Sequence, residues 1–408
     1  MEITLLGVIT MSAIFLVIYH HIGYPLILKC IPAKEEASPQ STATRRYNNV
    51  ASDEMLPSVT VIIPAYNEER WIAEKIRNLA VLDYPNHRLQ IFIACDGCSD
   101  KTEQIAKATA REPACRHLNL TVIGFKNNRG KVALLNDLIP TASSDLVALS
   151  DVSALVSADA LLLAAHRFSN KELGVLNSHY QLYKPGTNGE NVYWKYQSLI
   201  KSKEASMGST MGAHGAFYMF RTNLFEPLAP DTINDDFILP MKIVAMGYKA
   251  EQENRITALE LESSNLQTDF RRRLRIAAGN LQQVLRLGFM LHPRHGGVAF
   301  IFLSGKALRV MMPYLMIMAL AGSISLAGTS PFFSALAVSQ LSIYFLSSLP
   351  VFFSPFRRWK PTRLLQYLVA GHLANFIGSL RYLLGLDKGR WHRVVQPENS
   401  RPSRSHYE

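Results

Sequence analysis

The chain has 408 residues, a formal net charge of +11, a hydrophobic fraction of 48% and a mean hydropathy of +0.05. This length allows two or three domains, or one globular domain with a membrane part. The four cysteines are too few for a disulfide framework in a chain of this size. The globular part has no basic stripe with interleaved aromatic residues, which argues against nucleic-acid binding.

The first apolar segment runs from Ile3 to Leu28 and is about as long as a membrane is thick. It has neither the basic start nor the small-residue cleavage site of a signal peptide. We therefore expect residues 1–30 to form a retained transmembrane anchor with its N-terminus outside. Residues 31–57 are polar and rich in Pro and Ser, which predicts a surface linker.

The following segment, residues 58–262, alternates short apolar runs with helical patterns. Four runs of the buried-strand type, joined by helices, predict an α/β domain with a mostly parallel sheet. Ligands of such sheets bind outside the carboxyl ends of the strands. The polar loops PAYNEE, CDGCSD, KNNRGK and SDVS follow the four predicted strands at 58–63, 89–94, 120–124 and 145–150.

The stretch TINDDFILPMKI contains the adjacent acids Asp235 and Asp236. Two interpretations are open. Asn234 would cap a helix that runs to about Gly247, with both acids favourably placed in its first turn. Alternatively, the pair serves chemistry, because neighbouring carboxylates repel each other and are costly to bury.

The C-terminal third is predicted to be associated with a membrane. Residues 263–300 contain a basic amphipathic pattern that is typical of helices at a membrane surface. Residues 301–386 contain two apolar spans and a weaker third segment, and residues 387–408 form a basic tail. The flanking basic residues favour a multi-pass protein of the cell (inner) membrane with a cytoplasmic globular domain. The number of C-terminal crossings stays open.

Taken in order, five motifs resemble those of the family-2 glycosyltransferases with a GT-A fold. More narrowly, the chain is similar to the membrane-embedded branch that includes cellulose and hyaluronan synthases and bacterial polysaccharide and glycolipid transferases. The likeness extends from about Pro57 to the C-terminus. It implies a Rossmann-like, mostly parallel sheet between N-terminal and C-terminal transmembrane helices. The motifs are VTVIIPAYNEE, CDGCSDKT, RGKVALLN, SDVS at the D-x-D position and NDD at the T-E-D position.

The resemblance also implies a nucleotide-sugar site. Asp151 would hold Mg²⁺ or Mn²⁺ against the donor diphosphate, because carboxylate oxygens suit both ions and the cation offsets the charge of the leaving group. Asp96 would lie near the base or ribose. The residues implied to line the nucleotide pocket are Tyr66, Glu68, Asp96 and Lys131.

Transfer in this family implies direct displacement at the anomeric carbon, with a base at the acceptor hydroxyl. Asp236 is the candidate base, and Asp235 would hold or tune it. Arg273 and Arg275, in the family's arginine-rich motif, would help Asp151 and its metal to stabilise the departing diphosphate.

Two positions depart from the family pattern. Ser153 stands where D-x-D has its second carboxylate, and Ile276 stands where processive synthases have a tryptophan. We therefore expect an inverting, non-processive transferase that moves a sugar from a nucleotide-sugar donor to a lipid-linked or saccharide acceptor. Membrane lipids, and possible other polysaccharide-assembly proteins, are its expected partners. The alternatives are a processive polysaccharide synthase and a catalytically silent membrane scaffold.

Overall fold

The computed structural model describes residues 5–32, 48, 50–183, 200, 203–262, 266–353, 355–356 and 359–386. Most of the predicted linker and the whole predicted basic tail lie outside these ranges. The domain boundaries expected from the sequence stay predictions.

One mixed, eight-stranded sheet forms the centre of the globular part, in the order β3-β2-β1-β4-β7-β6-β8-β5. Strands β1 to β4 are mutually parallel where they pair, β7 is antiparallel to both β4 and β6, and β5 is antiparallel to β8. The strands are β1 (Val59–Ala65), β2 (Leu89–Asp96), β3 (Leu120–Phe125), β4 (Leu146–Ser150), β5 (Ala154–Val156), β6 (Leu173–Leu182), β7 (Phe217–Arg221) and β8 (Lys249–Glu260).

Helices cover both faces of this sheet and continue into the apolar ends of the chain, with separate buried cores on the two sides of β1. The α-helices are α1 (Leu5–Ile18), α2 (Tyr24–Cys30), α3 (Ile72–Ala80), α4 (Thr102–Ala110), α5 (Lys131–Leu138), α6 (Ala160–Arg167), α7 (Asp235–Ala245), α8 (Leu266–Arg286), α9 (Gly297–Ile301), α10 (Leu308–Leu326), α11 (Pro331–Phe352) and α12 (Lys360–Leu383).

The predicted α/β domain is confirmed, and its first four strands lie within three residues of the expected positions. Two strands were not predicted: β5, which has three residues, and β7, which follows a glycine-rich segment. Parallel pairing brings the ends of β1, β2 and β4 to one edge of the sheet. The four polar loops therefore lie along that edge.

The expected cap of α7 is wrong in one respect. The helix begins at Asp235, but the Asn234 side chain makes no capping hydrogen bond. Its amide nitrogen instead lies 3.5 Å from the backbone oxygen of Ile276 on α8, and the same side chain fills the space beside Gly279. Asn234 thus links α7 to the amphipathic helix, and the two acids that follow it are held between these elements.

Three helical segments of the described chain are long and apolar enough to cross a membrane: Leu5–Cys30, Gly297–Leu326 and Pro331–Phe352. The weaker third segment that was predicted within residues 301–386 forms α12, which does not meet this standard of length and apolar character. Helix α1 packs against α10 through Ala13, Met312 and Ala319. The N-terminal and C-terminal apolar regions therefore form one helical layer.

Two π-helical turns, Tyr19–Gly23 and Phe302–Ala307, meet within that layer. The Tyr19 hydroxyl lies 2.8 Å from the Ser304 hydroxyl, and His20 Nδ1 lies 3.0 Å from the Ser304 carbonyl oxygen. His21 contacts His372 of α12 at 2.9 Å between their Nε2 atoms. Such bonds are favourable where no water competes, so they tie the first helix to the C-terminal ones.

Helices α8 and α12 pack closely at Gly378. A Cβ atom there would lie 2.5 Å from the Leu274 carbonyl oxygen and 2.6 Å from the Ala277 Cβ. Gly371, on the same helix, has nothing within 4 Å of the equivalent position. Of the two glycines of α12, Gly378 therefore has a neighbour in the space beside it, whereas Gly371 does not.

We predict that Gly378→Ala lowers the thermal unfolding midpoint of the detergent-purified protein. The added methyl group would push α12 away from α8, and overpacking of this kind costs about 1–3 kcal/mol. Gly371→Ala is the matched control and should leave the midpoint unchanged or raise it, because Ala favours helix by up to about 1 kcal/mol. Equal midpoints for Gly378→Ala and wild type would contradict the close packing.

Candidate active site

The first two polar loops are joined by side-chain contacts at the sheet edge. Asn67, with a φ of +54°, accepts a hydrogen bond from the Ser99 backbone N–H at 2.9 Å. Across the same gap, the Glu69 N–H donates to Asp100 at 3.2 Å. The Thr102 hydroxyl accepts a 2.7 Å bond from the Glu68 N–H. These contacts fix the half-buried side chains of PAYNEE relative to CDGCSD.

Asp96, at the end of β2, holds the third loop. Its fully buried carboxylate accepts hydrogen bonds from the Arg129 N–H at 3.0 Å and the Gly130 N–H at 2.8 Å. Gly130 has a φ of +89° and immediately precedes α5. The observed contacts of Asp96 therefore position Lys131, the first residue of α5. Its expected contact with the base or ribose stays a prediction.

Lys131 joins the fourth loop to the NDD stretch. Its ammonium lies 3.4 Å from Asp151 Oδ1 and 3.1 Å from Asp235 Oδ2. Asp235 is buried, whereas the Asp151 side chain is 36% exposed and so accessible to a ligand. Burial lowers the pKa of Lys131, but Asp151, Asp235 and Asp236 together outweigh it and raise that pKa. Lys131 is therefore charged and partly balances three acids.

Asp236 lies beside Asp151 across Gly215. A Cβ atom on Gly215 would lie 3.1 Å from Asp151 Oδ2 and 3.5 Å from Asp236 Oδ2. The backbone carbonyl of Asp236 accepts a 2.7 Å bond from the Ala213 N–H, which fixes this loop against α7. The absence of a side chain at Gly215 keeps the space between the two carboxylates open.

The pKa of Asp236 is raised above the ordinary aspartate value. Burial is the main cause, and the neighbouring Asp235 adds to it. Lys131 and Arg275 act in the opposite direction, which also places Arg275 of α8 within electrostatic range. A carboxylate in this position is a stronger base than a solvated aspartate.

The two predicted arginines of α8 have different surroundings. Arg275 interacts electrostatically with Asp236, Asp235 and Asp151. Arg273 lies over the ring of Tyr367 on α12, with its guanidinium carbon 4.4 Å from the ring centroid. The structure therefore brings Arg275 to the carboxylates and places Arg273 at the interface with α12.

Sequence reasoning missed Lys75, which lies beneath the Asp151 loop. Its side chain is fully buried, and its ammonium donates to the Ser150 hydroxyl at 2.7 Å and to the Ala154 carbonyl at 2.5 Å. Burial lowers the pKa of Lys75 to about 7. No sequence signal marked it, since a lysine on an amphipathic helix is usually a solvated one.

Sequence reasoning also missed two buried residues on other strands, Tyr218 of β7 and Glu260 at the end of β8. Tyr218 of β7 is fully buried near Asp151, Asp235 and Asp236, and its hydroxyl has no hydrogen-bond partner among the described residues. An orphaned buried hydroxyl usually marks a place for water or a ligand. Tyr218 lies in a continuous apolar run, which gave no hint of this position.

The donor set suits a divalent cation that is completed by substrate. The described residues include no group of three or more His, Cys, Asp or Glu side chains that could by themselves hold a metal. One or two carboxylates with substrate phosphates are the usual arrangement for Mg²⁺, which keeps several waters. The accessible Asp151 carboxylate and the orphaned Tyr218 hydroxyl fit such a site.

The fold belongs to the GT-A class. Its similarity to a solved mannosyltransferase from Pyrobaculum calidifontis, in complex with GDP-Man and Mn²⁺, has a TM-score of 0.65 and covers 90% of this chain and 99% of that one, at 23% identity. At this identity the likeness concerns the fold.

The family model described as "Glycosyltransferase like family 2" matches residues 57–279, and the chain belongs to this family. It is similar to a beta-monoglucosyldiacylglycerol synthase of Trichormus variabilis, at 26% identity over 50% of this chain and 46% of that protein. It is also similar to a poly-beta-1,6-N-acetyl-D-glucosamine synthase of Staphylococcus aureus, at 24% identity over 64% of each. The chain thus spans about half to two thirds of the length of these relatives.

We predict that Asp96→Asn destabilises the protein by about 1.5–3 kcal/mol, the worth of hydrogen bonds to a charged group. An amide would present at most one oxygen to the two N–H groups of the third loop. Thermal unfolding measures the loss, with the exposed Asp159→Asn as a control that should match wild type. Unchanged stability with reduced nucleotide affinity would contradict the anchoring role and indicate direct ligand contact.

Proposed function

We propose that the protein is an inverting, membrane-bound glycosyltransferase that moves one sugar from a nucleotide-sugar donor to a lipid-linked or saccharide acceptor. The observation that carries this proposal is the cluster of Asp151, Asp235, Asp236 and Lys131 at one edge of a GT-A sheet. It combines an accessible carboxylate for a cation with a carboxylate of raised basicity. The open space at Gly215 lies between them.

In the proposed reaction, Asp151 would hold a Mg²⁺ or Mn²⁺ ion, which would supply positive charge to the donor diphosphate. Asp236 accepts the proton of the acceptor hydroxyl as that oxygen attacks the anomeric carbon. Asp235, paired with Lys131, keeps Asp236 in place and raises its proton affinity. Arg275 supplies positive charge near the departing diphosphate.

The proposed location is the cell (inner) membrane, with several crossings and the catalytic domain in the cytoplasm. Three candidate spans and the packing of α8 against α12 support it. A lipid-linked or glycan acceptor agrees with the named relatives, one a glycolipid synthase and the other a polysaccharide synthase. Addition of a single sugar is supported by Ile276, which lacks the aromatic face on which an acceptor sugar would stack.

The first test is a panel of nucleotide sugars with Mg²⁺ or Mn²⁺, read by thermal stabilisation and then by transfer of a labelled sugar to lipid and glycan acceptors. A single added sugar supports the proposal. A ladder of long products would favour a processive synthase. Absence of both donor binding and transfer would favour a silent scaffold, and other assembly proteins would then be its expected partners.

We predict that Asp236→Asn lowers transfer by about 10²- to 10⁴-fold, the usual contribution of a general base. Donor binding should change little, because the amide keeps the shape of the side chain. Single-turnover transfer and equilibrium binding of the same donor separate the two effects. Near-normal turnover would overturn the assignment of Asp236 as the base.

We predict that Asp235→Asn moves the acidic limb of the pH profile of kcat/KM to lower pH. A base works only above its pKa, and Asp235 contributes to the raised pKa of Asp236. Removing this like charge, and freeing Lys131, lowers that pKa, so activity persists to lower pH. Asp159→Asn should leave the limb in place, and an unmoved limb in Asp235→Asn would rule out the tuning role.

A further inference from the structure

The Asp151 loop is one carboxylate short of the family pattern, because Ser153 occupies the second acidic position. A buried acid from another strand lies beside it. Strand β5 pairs with the end of β8, so that Ala154 is opposite Glu260. The Leu261 N–H donates to the Ser153 carbonyl at 2.9 Å, and Glu260 itself is hydrogen-bonded to the Ser153 side chain.

We propose that Glu260 supplies the second protein carboxylate for the divalent cation held by Asp151, in place of the acid that position 153 lacks. This inference rests on the proposed function. It gives β8 a part in the cation site beside the loop after β4. The cation would then bridge two distant segments of the chain, the loop after β4 and the end of β8.

The electrostatics of Glu260 agree with a neighbouring cation. The residue is only 8% exposed, and its carboxylate lies within electrostatic range of Asp151. The ammonium of the buried Lys75 is attracted to both acids and offsets part of their mutual repulsion, and a divalent cation between them would offset the rest. The position therefore suits a metal ligand.

The contacts of Glu260 also allow a plain anchoring role. Its carboxylate interacts with the Ser153 side chain and accepts a 3.1 Å bond from the Glu262 N–H, so it could simply fasten β8 to the loop. Glutamine has nearly the same shape and keeps an oxygen acceptor for these bonds, but it is a much weaker metal ligand. Glu260→Gln therefore separates the two roles.

The test measures Mn²⁺ binding by the whole chain, purified in detergent. Electron paramagnetic resonance reports the bound Mn²⁺, with UDP or GDP present. In wild type we expect Mn²⁺ binding that depends on at least one nucleotide. Glu260→Gln should weaken it about tenfold or more, since even outer-shell partners of a metal change affinity by about 10- to 100-fold. Glu262→Gln, which removes the same charge two residues away, should match wild type.

Ser153→Asp combined with Glu260→Gln restores the family's D-x-D and should regain most of the lost Mn²⁺ affinity. Equal Mn²⁺ binding by wild type and Glu260→Gln would overturn the role of Glu260 alone. Failure of the double variant to regain Mn²⁺ affinity would also overturn it. The double variant therefore decides the question even where Glu260→Gln alone is poorly folded. Absence of Mn²⁺ binding in wild type with either nucleotide would overturn this cation site, whereas the proposed function fails only when the donor panel gives no transfer.

Discussion

The ion pair between Lys131 and two separate carboxylates is the interaction on which the site depends. Asp151 follows a central strand, whereas Asp235 begins a helix more than eighty residues later in the chain. Without a cation between them, the two acids and Asp236 would repel one another in a largely desolvated place. Lys131 thus lets the sheet edge and α7 come together before any ligand arrives.

Lys131 can occupy this place only because Asp96 holds the loop before it in position. Asp96 accepts the backbone N–H groups of Arg129 and Gly130, and Gly130 adopts a backbone conformation that other residues rarely reach. The contacts run from the buried Asp96 through the third loop to the ammonium of Lys131, and from there to Asp151 and to Asp235, the neighbour of the candidate base. At each contact a charged group meets a partner from another segment of the chain.

The sequence was sufficient for the parts of this arrangement that follow from periodicity and chain order. Apolar runs located β1 to β4, and parallel pairing put their polar loops at one edge. Asp151 and Lys131 were expected at the site for this reason together with the family motifs. Contacts between distant segments were beyond such reasoning. Asn234 had the right residue type for a cap, but the approach of α8 at Gly279 gave its amide another partner.

Buried ionisable residues show the same limit. Lys75 and Glu260 are of residue types that usually lie at the surface. Only the packing of α3 and β8 around the Asp151 loop removes them from water. Their importance comes from the loss of solvation, which a linear pattern does not reveal. Arg273 and Arg275 are two residues apart in one motif, yet Arg275 interacts electrostatically with Asp236, whereas Arg273 lies over the ring of Tyr367.

The candidate cation site and the candidate base are held in place by different parts of the fold. Asp151 belongs to the sheet and is braced from beneath by Lys75 through Ser150. Asp236 belongs to α7, whose Phe237 ring centroid lies 4.0 Å from the ammonium of Lys306, inside the candidate membrane span Gly297–Leu326. The candidate base is thus fixed from the side of the apolar helices, and the candidate cation site from the globular core.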